Sequence, residues 1–333
     1  MAVTLGVNGF GRIGRYLLRL LADDADLQVA VINARADNAS LAHLFKYDSV
    51  HGTFKGDVAA NDQGLLINGK QVIVTRCKQN EWEWAKYGID IAVETTGTIK
   101  DREGLAGHIA CGAKKAVISA PGKDVDATIV MGVNDSIYDP AKHDVISNAS
   151  CTTNCLAPAA KVLNDTFGIM HGLMTTIHSY TMSQRILDGS QKDLRRARAA
   201  CMSMIPTTTG AAKAVGMVIP ELKGKLDGMA VRVPTPDGSI VDLTCRVEKA
   251  TTAEEVNAAL KAASEGPMKG NLGYSDEPLV SVDYIGDTHG GVVDSLCTTV
   301  IDGTLVKLII WYDNEAGFTN QLVRLLKKVG ASL

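Results

Sequence analysis

The chain has 333 residues, 46% hydrophobic and 21% charged, enough to bury a large core and a length that suggests about two domains. Its 34 Lys and Arg against 37 Asp and Glu give a formal net charge of -3, so no global basic field draws in nucleic acid, which is excluded as a main partner. The first residues, MAVTLGVNGFG, lack the charged and apolar regions of a signal peptide and no apolar run approaches ~18 residues, so a cytoplasmic protein with no membrane partner is expected.

In the first half, short β-like runs (Thr4–Asn8, Leu27–Asn33, Ile89–Glu94, Ala116–Ser119, Asp144–Ser147) alternate with helical stretches such as Arg12–Asp23 and Arg102–Ala110. That alternation predicts a parallel α/β sheet. Gly9, Gly11 and Gly14 form G-x-G-x-x-G directly after the first strand and at the start of a helix. Gly9 permits the tight turn, Gly11 lets the backbone approach a pyrophosphate, and Gly14 lets helix and strand pack closely, so the segment 1–148 reads as a Rossmann dinucleotide-binding domain.

An acidic residue is expected at the end of the second strand, where it would grip the adenosine ribose hydroxyls. It is missing: Leu27–Ile32 runs into Asn33, Ala34 and Arg35. A ribose 2′-phosphate would be repelled by Asp but is tolerated by Ala34 and attracted by Arg35. Arg35 alone also reads as an ordinary exposed loop residue.

Past residue 150 the pattern changes. A helical segment, Thr152–Asp165, is followed by longer β-like runs at Leu173–Tyr180, Met229–Val233, Ile240–Lys249, Val280–Ile285 and Leu305–Tyr312, predicting an α+β catalytic domain, 149–312, with a mainly antiparallel sheet. A terminal helix, Ala316–Val329, falls in a closing segment, 313–333, expected to pack back on the first domain. No linker marks the boundary.

Seven cysteines (77, 111, 151, 155, 201, 245, 297), scattered and odd in number, do not form a disulfide framework, and most are expected to be buried and inert. Cys151 differs. Ser150 is suited to N-capping, which puts Cys151 in the first turn of a helix where unpaired N–H groups and the dipole favour thiolate. Cys155, one turn deeper, reads as a small apolar residue, and no metal site is expected from the pair. His178 ends the apolar strand Leu173–Ile177, a placement that suits either a structural histidine or a general base.

The segments NGFGRIGR (8–15), SNASCTTNCLAP (147–158), HSYT (178–181), DLRRARAA (193–200), IPTTTGAAKA (205–214), VRVPTP (231–236) and WYDNEAGF (311–318) occur in that order. Together they resemble the phosphorylating glyceraldehyde-3-phosphate dehydrogenase family over essentially the whole chain. The resemblance implies reversible oxidative phosphorylation of D-glyceraldehyde 3-phosphate to 1,3-bisphosphoglycerate through a Cys151 thioester, with His178 as acid, base and thiolate partner. It places Thr181 and Arg232 at the substrate phosphate, Ser150, Thr152, Thr209 and Gly210 at the inorganic phosphate, and Arg196 near both. It gives Asn314 the nicotinamide carboxamide, makes Arg12, Ile13 and Ser119 further cofactor contacts, and implies a homotetramer.

Departures from the family pattern bear on the cofactor. Ala34 stands where the ribose-binding Asp is usual, and Gly189-Ser190 occupies a loop where NAD-specific members carry Leu-Pro and NADP-using chloroplast-type members carry a small residue followed by Ser. Both point to NADP alongside NAD, with Ser190 able to donate to a 2′-phosphate. The usual Arg-Asp-Pro is replaced by Cys77-Lys78-Gln79. The neighbouring erythrose-4-phosphate dehydrogenases share the Cys and His segments. Around Thr181 and Thr209 the chain follows the triose-phosphate pattern, although Met182-Ser183 replaces the common Asn-Asp.

Overall fold

In the computed structural model, which describes residues 2–333, the alternating first half becomes one nine-stranded sheet. Its strands are β1 (Val3–Asn8), β2 (Leu27–Asn33), β3 (Val58–Asn61), β4 (Gly64–Ile67), β5 (Lys70–Thr75), β6 (Ile91–Glu94), β7 (Lys115–Ile118), β8 (Ala127–Thr128) and β9 (Val145–Ser147). The order is β8-β9-β7-β6-β1-β2-β5-β4-β3, parallel from β8 to β5 and antiparallel only at the β5-β4-β3 edge. β6 and β7 are buried along their whole length, which is why they read as continuous apolar runs rather than as alternation.

Three helices belong to this sheet: α1 (Arg12–Leu21), α2 (Asn38–Lys46) and α3 (Arg102–Ala110). Asp37 and Asp101 cap α2 and α3 by accepting the N–H of Ser40 and Gly104, whereas α1 begins at Gly11 with no side-chain cap. That bare end leaves its first N–H groups to be satisfied from outside the helix.

The second sheet has seven strands: β10 (Ile169–Ser179), β11 (Ile205–Thr208), β12 (Leu226–Val233), β13 (Ser239–Val247), β14 (Leu272–Ser275), β15 (Gly291–Ile301) and β16 (Leu305–Tyr312). Their order is β11-β12-β10-β13-β16-β15-β14, antiparallel except for the β10-β12 and β14-β15 pairs. Helices α4 (Cys151–Phe167), α5 (Ala211–Val218) and α6 (Ala253–Glu265) accompany it, and α7 (Ala316–Gly330) closes the chain. This is the Rossmann-like parallel sheet and mainly antiparallel second sheet that the sequence implies.

Two expectations are corrected. Val280–Ile285 is not a strand: residues Ser281–Tyr284 form a single 3-10 turn, capped at its start by the Asp283 carboxylate accepting the Val280 N–H at 2.8 Å. The strand of that region is β15, whose pattern is broken by polar residues where its register against β16 shifts between Asp294 and Thr299. Nor are most cysteines buried. Cys155 and Cys245 are, but Cys77, Cys111 and Cys151 are half-buried and Cys201 and Cys297 exposed, with every thiol free. Cys201 lies in the open 180–204 segment, and Cys297 in the stretch where β15 slips register.

The chain forms two units. One runs to Ile129, takes up Asp135–Ala149 and ends with Leu322–Leu333; the other comprises Val130–Asn134 and Ser150–Gln321. In the first, Lys327 on α7 pairs with Asp24 at 2.8 Å and Asp26 at 2.9 Å, and Lys328 with Asp135 at 2.7 Å, fixing the terminal turns to the sheet they belong with. Among the described residues no helix is long and apolar enough to cross a membrane.

Candidate active site

In the first unit, the carboxyl ends of β1, β2 and β5 surround a cavity of about 650 Å³, the place where open parallel sheets bind ligands. Gly9 turns there with φ +100, and a Cβ on Gly14 would stand 2.5 Å from the Gly9 carbonyl oxygen, so both positions require glycine. A Cβ on Gly11 would meet nothing within 4 Å, so the space over the α1 N-terminus is open. Strand ends are tied together through Asn33, which donates to Asn8 Oδ1 and accepts from Thr75 Oγ1 and the Cys77 N–H.

Asn33, Ala34 and Arg35 line this cavity with Arg76 and Lys78, and among the described lining residues there is no carboxylate. Arg76 was missed in the sequence. It directly follows β5, which pairs in parallel with β2, so two neighbouring strand ends deliver Arg35 and Arg76 to one place. Its Nη2 donates to the Ala36 carbonyl at 2.7 Å and to Asn38 Oδ1 at 2.8 Å, which holds the guanidinium against the β2 turn.

Other expected contacts are placed elsewhere. Arg12 forms a two-nitrogen salt bridge to Asp48. Although burial opposes it, that guanidinium and the His51 and Val50 N–H groups hold the Asp48 carboxyl well below the usual carboxylate range. Ile13 lies half-buried within α1, and Ser119 donates from N and Oγ to the Glu94 carbonyl. Ser190 sits in the second unit on the exposed 180–204 segment, its carbonyl accepting from Arg185.

The second unit assembles a thiol, an imidazole and two guanidiniums. Ser150 caps α4 by accepting the Thr153 N–H at 3.0 Å, preceded by Ala149 in the left-handed region at φ +57, and Cys151 opens the helix. The Cys151 Sγ lies 3.5 Å from His178 Nε2 on β10. β12 runs parallel to β10 with His178 opposite Arg232, which brings Arg232 Nη1 to 2.8 Å from His178 Nδ1 and 2.8 Å from the Ser179 carbonyl.

Below the pair, Tyr312 presents its ring to the imidazole edge-on, and its hydroxyl bonds Thr152 Oγ1 at 2.9 Å and Thr176 Oγ1 at 2.8 Å. Tyr312 belongs to a motif that the sequence reading used only for Asn314. Asn314 is itself buried, accepting from Ser239 Oγ at 2.6 Å. Cys155 lies fully buried, with Sγ 3.7 Å from the Ile310 carbonyl, and burial pushes its thiol far up, as expected of an inert residue.

Burial opposes the thiolate and imidazolium that a helix start favours. Burial first and the Arg232 guanidinium second pull His178 down to about 3, against the Ser179 carbonyl. Burial also pushes the Cys151 thiol up, with Arg232 pulling it back. Desolvation thus works against both charged forms.

The remaining anion-site candidates divide into three places. Arg196 is held by Thr207, to which its Nε donates at 2.9 Å, and Thr207 donates in turn to Asp193. Thr209 accepts the Ala211 N–H at the start of α5, where a Cβ on Gly210 would meet nothing within 4 Å. Thr181 shares a hydrogen bond with Ser183. Thr152, by contrast, commits its hydroxyl to buried Tyr312, and Ser150 bonds Thr153.

Family models described as glyceraldehyde 3-phosphate dehydrogenase, NAD binding domain, and glyceraldehyde 3-phosphate dehydrogenase, C-terminal domain, match residues 3–102 and 150–314. The chain is 59% identical over 326 residues to glyceraldehyde-3-phosphate dehydrogenase of Geobacillus stearothermophilus, spanning 98% of this chain and 97% of that relative. It is 55% identical to glyceraldehyde-3-phosphate dehydrogenase 1 of Bacillus subtilis (strain 168), over 98% of this chain and 97% of the relative. To glyceraldehyde-3-phosphate dehydrogenase 2 of the same organism it is 50% identical, over 100% and 98%.

Proposed function

The chain belongs to the glyceraldehyde-3-phosphate dehydrogenase family, and we propose that it oxidises D-glyceraldehyde 3-phosphate to 1,3-bisphosphoglycerate using NADP at least as well as NAD. The observation that carries the activity is Cys151 Sγ at 3.5 Å from His178 Nε2, at a helix start and beside Arg232. This is a nucleophile with a base in reach and a cation next to both.

His178 takes the thiol proton as Sγ adds to the aldehyde carbon and passes it to the developing oxyanion, giving a hemithioacetal whose hydroxyl faces the N–H groups of the α4 start. A dinucleotide whose pyrophosphate is held by the Gly9–Gly14 turn would supply the hydride acceptor. His178 removes the hydroxyl proton of the hemithioacetal as it becomes a thioester, then returns a proton to the departing sulfur when inorganic phosphate attacks the acyl carbon. In this reading Arg232 and Thr181 hold the substrate phosphate, Arg196, Thr209 and Gly210 hold the attacking one with Ser150 and Thr152 beside them, and Asn314 orients the carboxamide.

Gly9, Gly11, Gly14 and the uncapped α1 N-terminus fit a pyrophosphate. The NADP preference is supported by a cavity that offers Arg35, Arg76 and Lys78 and no carboxylate to the ribose. Assembly with further copies, a homotetramer by family resemblance, is supported by the apolar side chains that the 180–204 segment exposes, Met182 at 90% and Ile186 at 81% among them.

A steady-state assay on glyceraldehyde 3-phosphate with each cofactor, with and without phosphate, tests the proposal. Turnover that ignores phosphate would remove the phosphorolytic step. An NAD preference above ~100-fold, about 2.7 kcal/mol in transition-state terms, would overturn the cofactor assignment.

A further inference from the structure

Cross-strand register sets four polar side chains in one row over the carboxyl ends of the first sheet: Glu94 on β6 opposite Asn8 on β1, Asn8 opposite Asn33 on β2, and Asn33 opposite Thr75 on β5. Glu94 is wholly buried, and among the described residues every group that bonds its carboxylate donates. Asn8 Nδ2 lies 2.6 Å from Oε2, while the N–H of Thr96, at 2.7 Å, and the Thr96 hydroxyl reach Oε1. His108 Nε2 on α3 lies 3.2 Å from Oε2. Its Nδ1 accepts from the Trp84 indole, which only donates, so the ring hydrogen sits on Nε2 and points at the carboxylate.

The direction of the row follows. Asn8 gives its Nδ2 to Glu94, so its Oδ1 is left to accept from Asn33 Nδ2 at 2.9 Å. Asn33 Oδ1 is thereby turned toward the Thr75 hydroxyl at 3.0 Å and the Cys77 N–H at 2.8 Å, and Nδ2 also donates to the Cys77 carbonyl at 3.1 Å. Asn33 thus spends both amide hydrogens and both lone pairs inside the protein. Asn8, Asn33, Cys77 and Thr96 all line the dinucleotide cavity.

We infer that Glu94 is a positioning residue for the dinucleotide: as a group that only accepts, it fixes which way the Asn8 and Asn33 amides point and so holds the Thr96 and Cys77 rims of the cavity. With its side chain fully committed, Asn33 offers the ribose nothing, which leaves that edge to Arg35 and Arg76. The inference rests on reading this cavity as the dinucleotide site. An amide at position 94 keeps the shape of Glu94 and breaks the row, because its NH2 meets donors whichever way it turns. On one side it faces Thr96. On the other it faces Asn8 and His108, and Asn8 relieves the clash only by turning, which turns Asn33 and sets its NH2 against the Cys77 N–H. In both cases a buried donor on the cavity rim loses its partner and the backbone there must shift.

The test is calorimetric titration of NAD and of NADP into the full-length chain, its Glu94→Gln variant, and the double variant Glu94→Gln with Asn8→Asp, each with a melting curve. In the double variant the carboxylate at position 8 accepts from the new amide and from Asn33, which restores the direction of the row and gives up only the 3.2 Å bond from His108. Glu94→Gln should weaken both dinucleotides about tenfold, the effect of one unsatisfied buried donor, and the second substitution should recover most of that loss. A Glu94→Gln variant that melts lower but binds as tightly overturns the inference, and so does a second substitution that deepens the loss. If Glu94→Gln does not fold, a double variant that folds and binds supports the row, and one that does not fold overturns it.

A second measurement needs no substitution. Neutron diffraction from crystals of the unsubstituted chain should show deuterium on His108 Nε2, none on its Nδ1 and none on Glu94, with Asn8 Nδ2 toward Glu94 and Asn33 Nδ2 toward Asn8. Deuterium on the Glu94 carboxyl, or either amide reversed, overturns the inference. Dinucleotide binding by the unsubstituted chain separates the two readings: where it binds, a failed variant or neutron result removes only the role of Glu94, whereas binding of neither NAD nor NADP removes the assignment of the cavity.

Discussion

Cys151 Sγ and His178 Nε2 face each other across 3.5 Å from two separate elements of one unit, the first turn of α4 and the end of β10. Both residues sit on regular elements, a helix and a strand. Cys151→Ser is therefore expected to lower kcat by about 10,000-fold or more, and His178→Asn by about 100- to 10,000-fold, with KM changing far less. Steady-state kinetics with glyceraldehyde 3-phosphate checks both. Retained turnover in Cys151→Ser would remove covalent catalysis.

Arg76 reaches the dinucleotide cavity because β5 pairs with β2, and its guanidinium is held by Ala36 and Asn38 rather than by an acid. Arg76→Ala should lower kcat/KM for NADP by about tenfold or more, near 1.4 kcal/mol, and leave NAD nearly unchanged. Ala34→Asp should act in the same direction, since its carboxylate would repel a 2′-phosphate and accept from the ribose hydroxyls. Equal losses with both cofactors would show that these residues support the cavity without reading the phosphate.

The glycine pattern was legible because each glycine answers a local steric demand in the first strand, turn and helix. Cys151 was legible for a similar reason, since Ser150 and the helix start are neighbours in sequence. Arg76 and Tyr312 were not, because their roles come from pairing between β5 and β2 and from the order of the second sheet, which sets β16 one strand beyond β13 from β10; neither leaves a periodic trace. β15 escaped because its polar centre breaks the apolar run at a register shift. The opposing pull of burial on the Cys151 thiol and the His178 imidazole escaped because a helix-start argument does not contain desolvation.

Gly14 packs so closely that a Cβ there would lie 2.5 Å from the Gly9 carbonyl oxygen and 2.9 Å from Thr95 Oγ1. Gly14→Ala must push α1 off β1 or shift the Gly9 turn. A loss of about 1–3 kcal/mol is expected, lowering the melting temperature by several degrees and raising KM for the dinucleotide. A melting curve and a cofactor titration that both match the unsubstituted chain would show that the helix relaxes without cost.

Asp237 is fully buried beside Asp313, which accepts the N–H groups of Gly286, Glu315 and Ala316. Burial raises the Asp237 carboxyl well above its ordinary range, and the charges of Asp313 and Glu315 add to the rise. The folded chain thus keeps a proton that the unfolded chain releases. Above the ordinary carboxylate range, near pH 4, each rise in pH favours the unfolded state, and stability falls until the folded-state value is reached. Asp237→Asn replaces the protonated acid by a neutral amide of the same shape that can still donate to Asp313. Its melting temperature should match the unsubstituted chain near pH 4 and exceed it by several degrees at pH 8, for a gain of up to about 1.4 kcal/mol per pH unit between those limits. Thermal unfolding across that range measures the increment. An increment that does not grow with pH would mean that Asp237 is ionised in the fold and balanced by a partner other than its own proton.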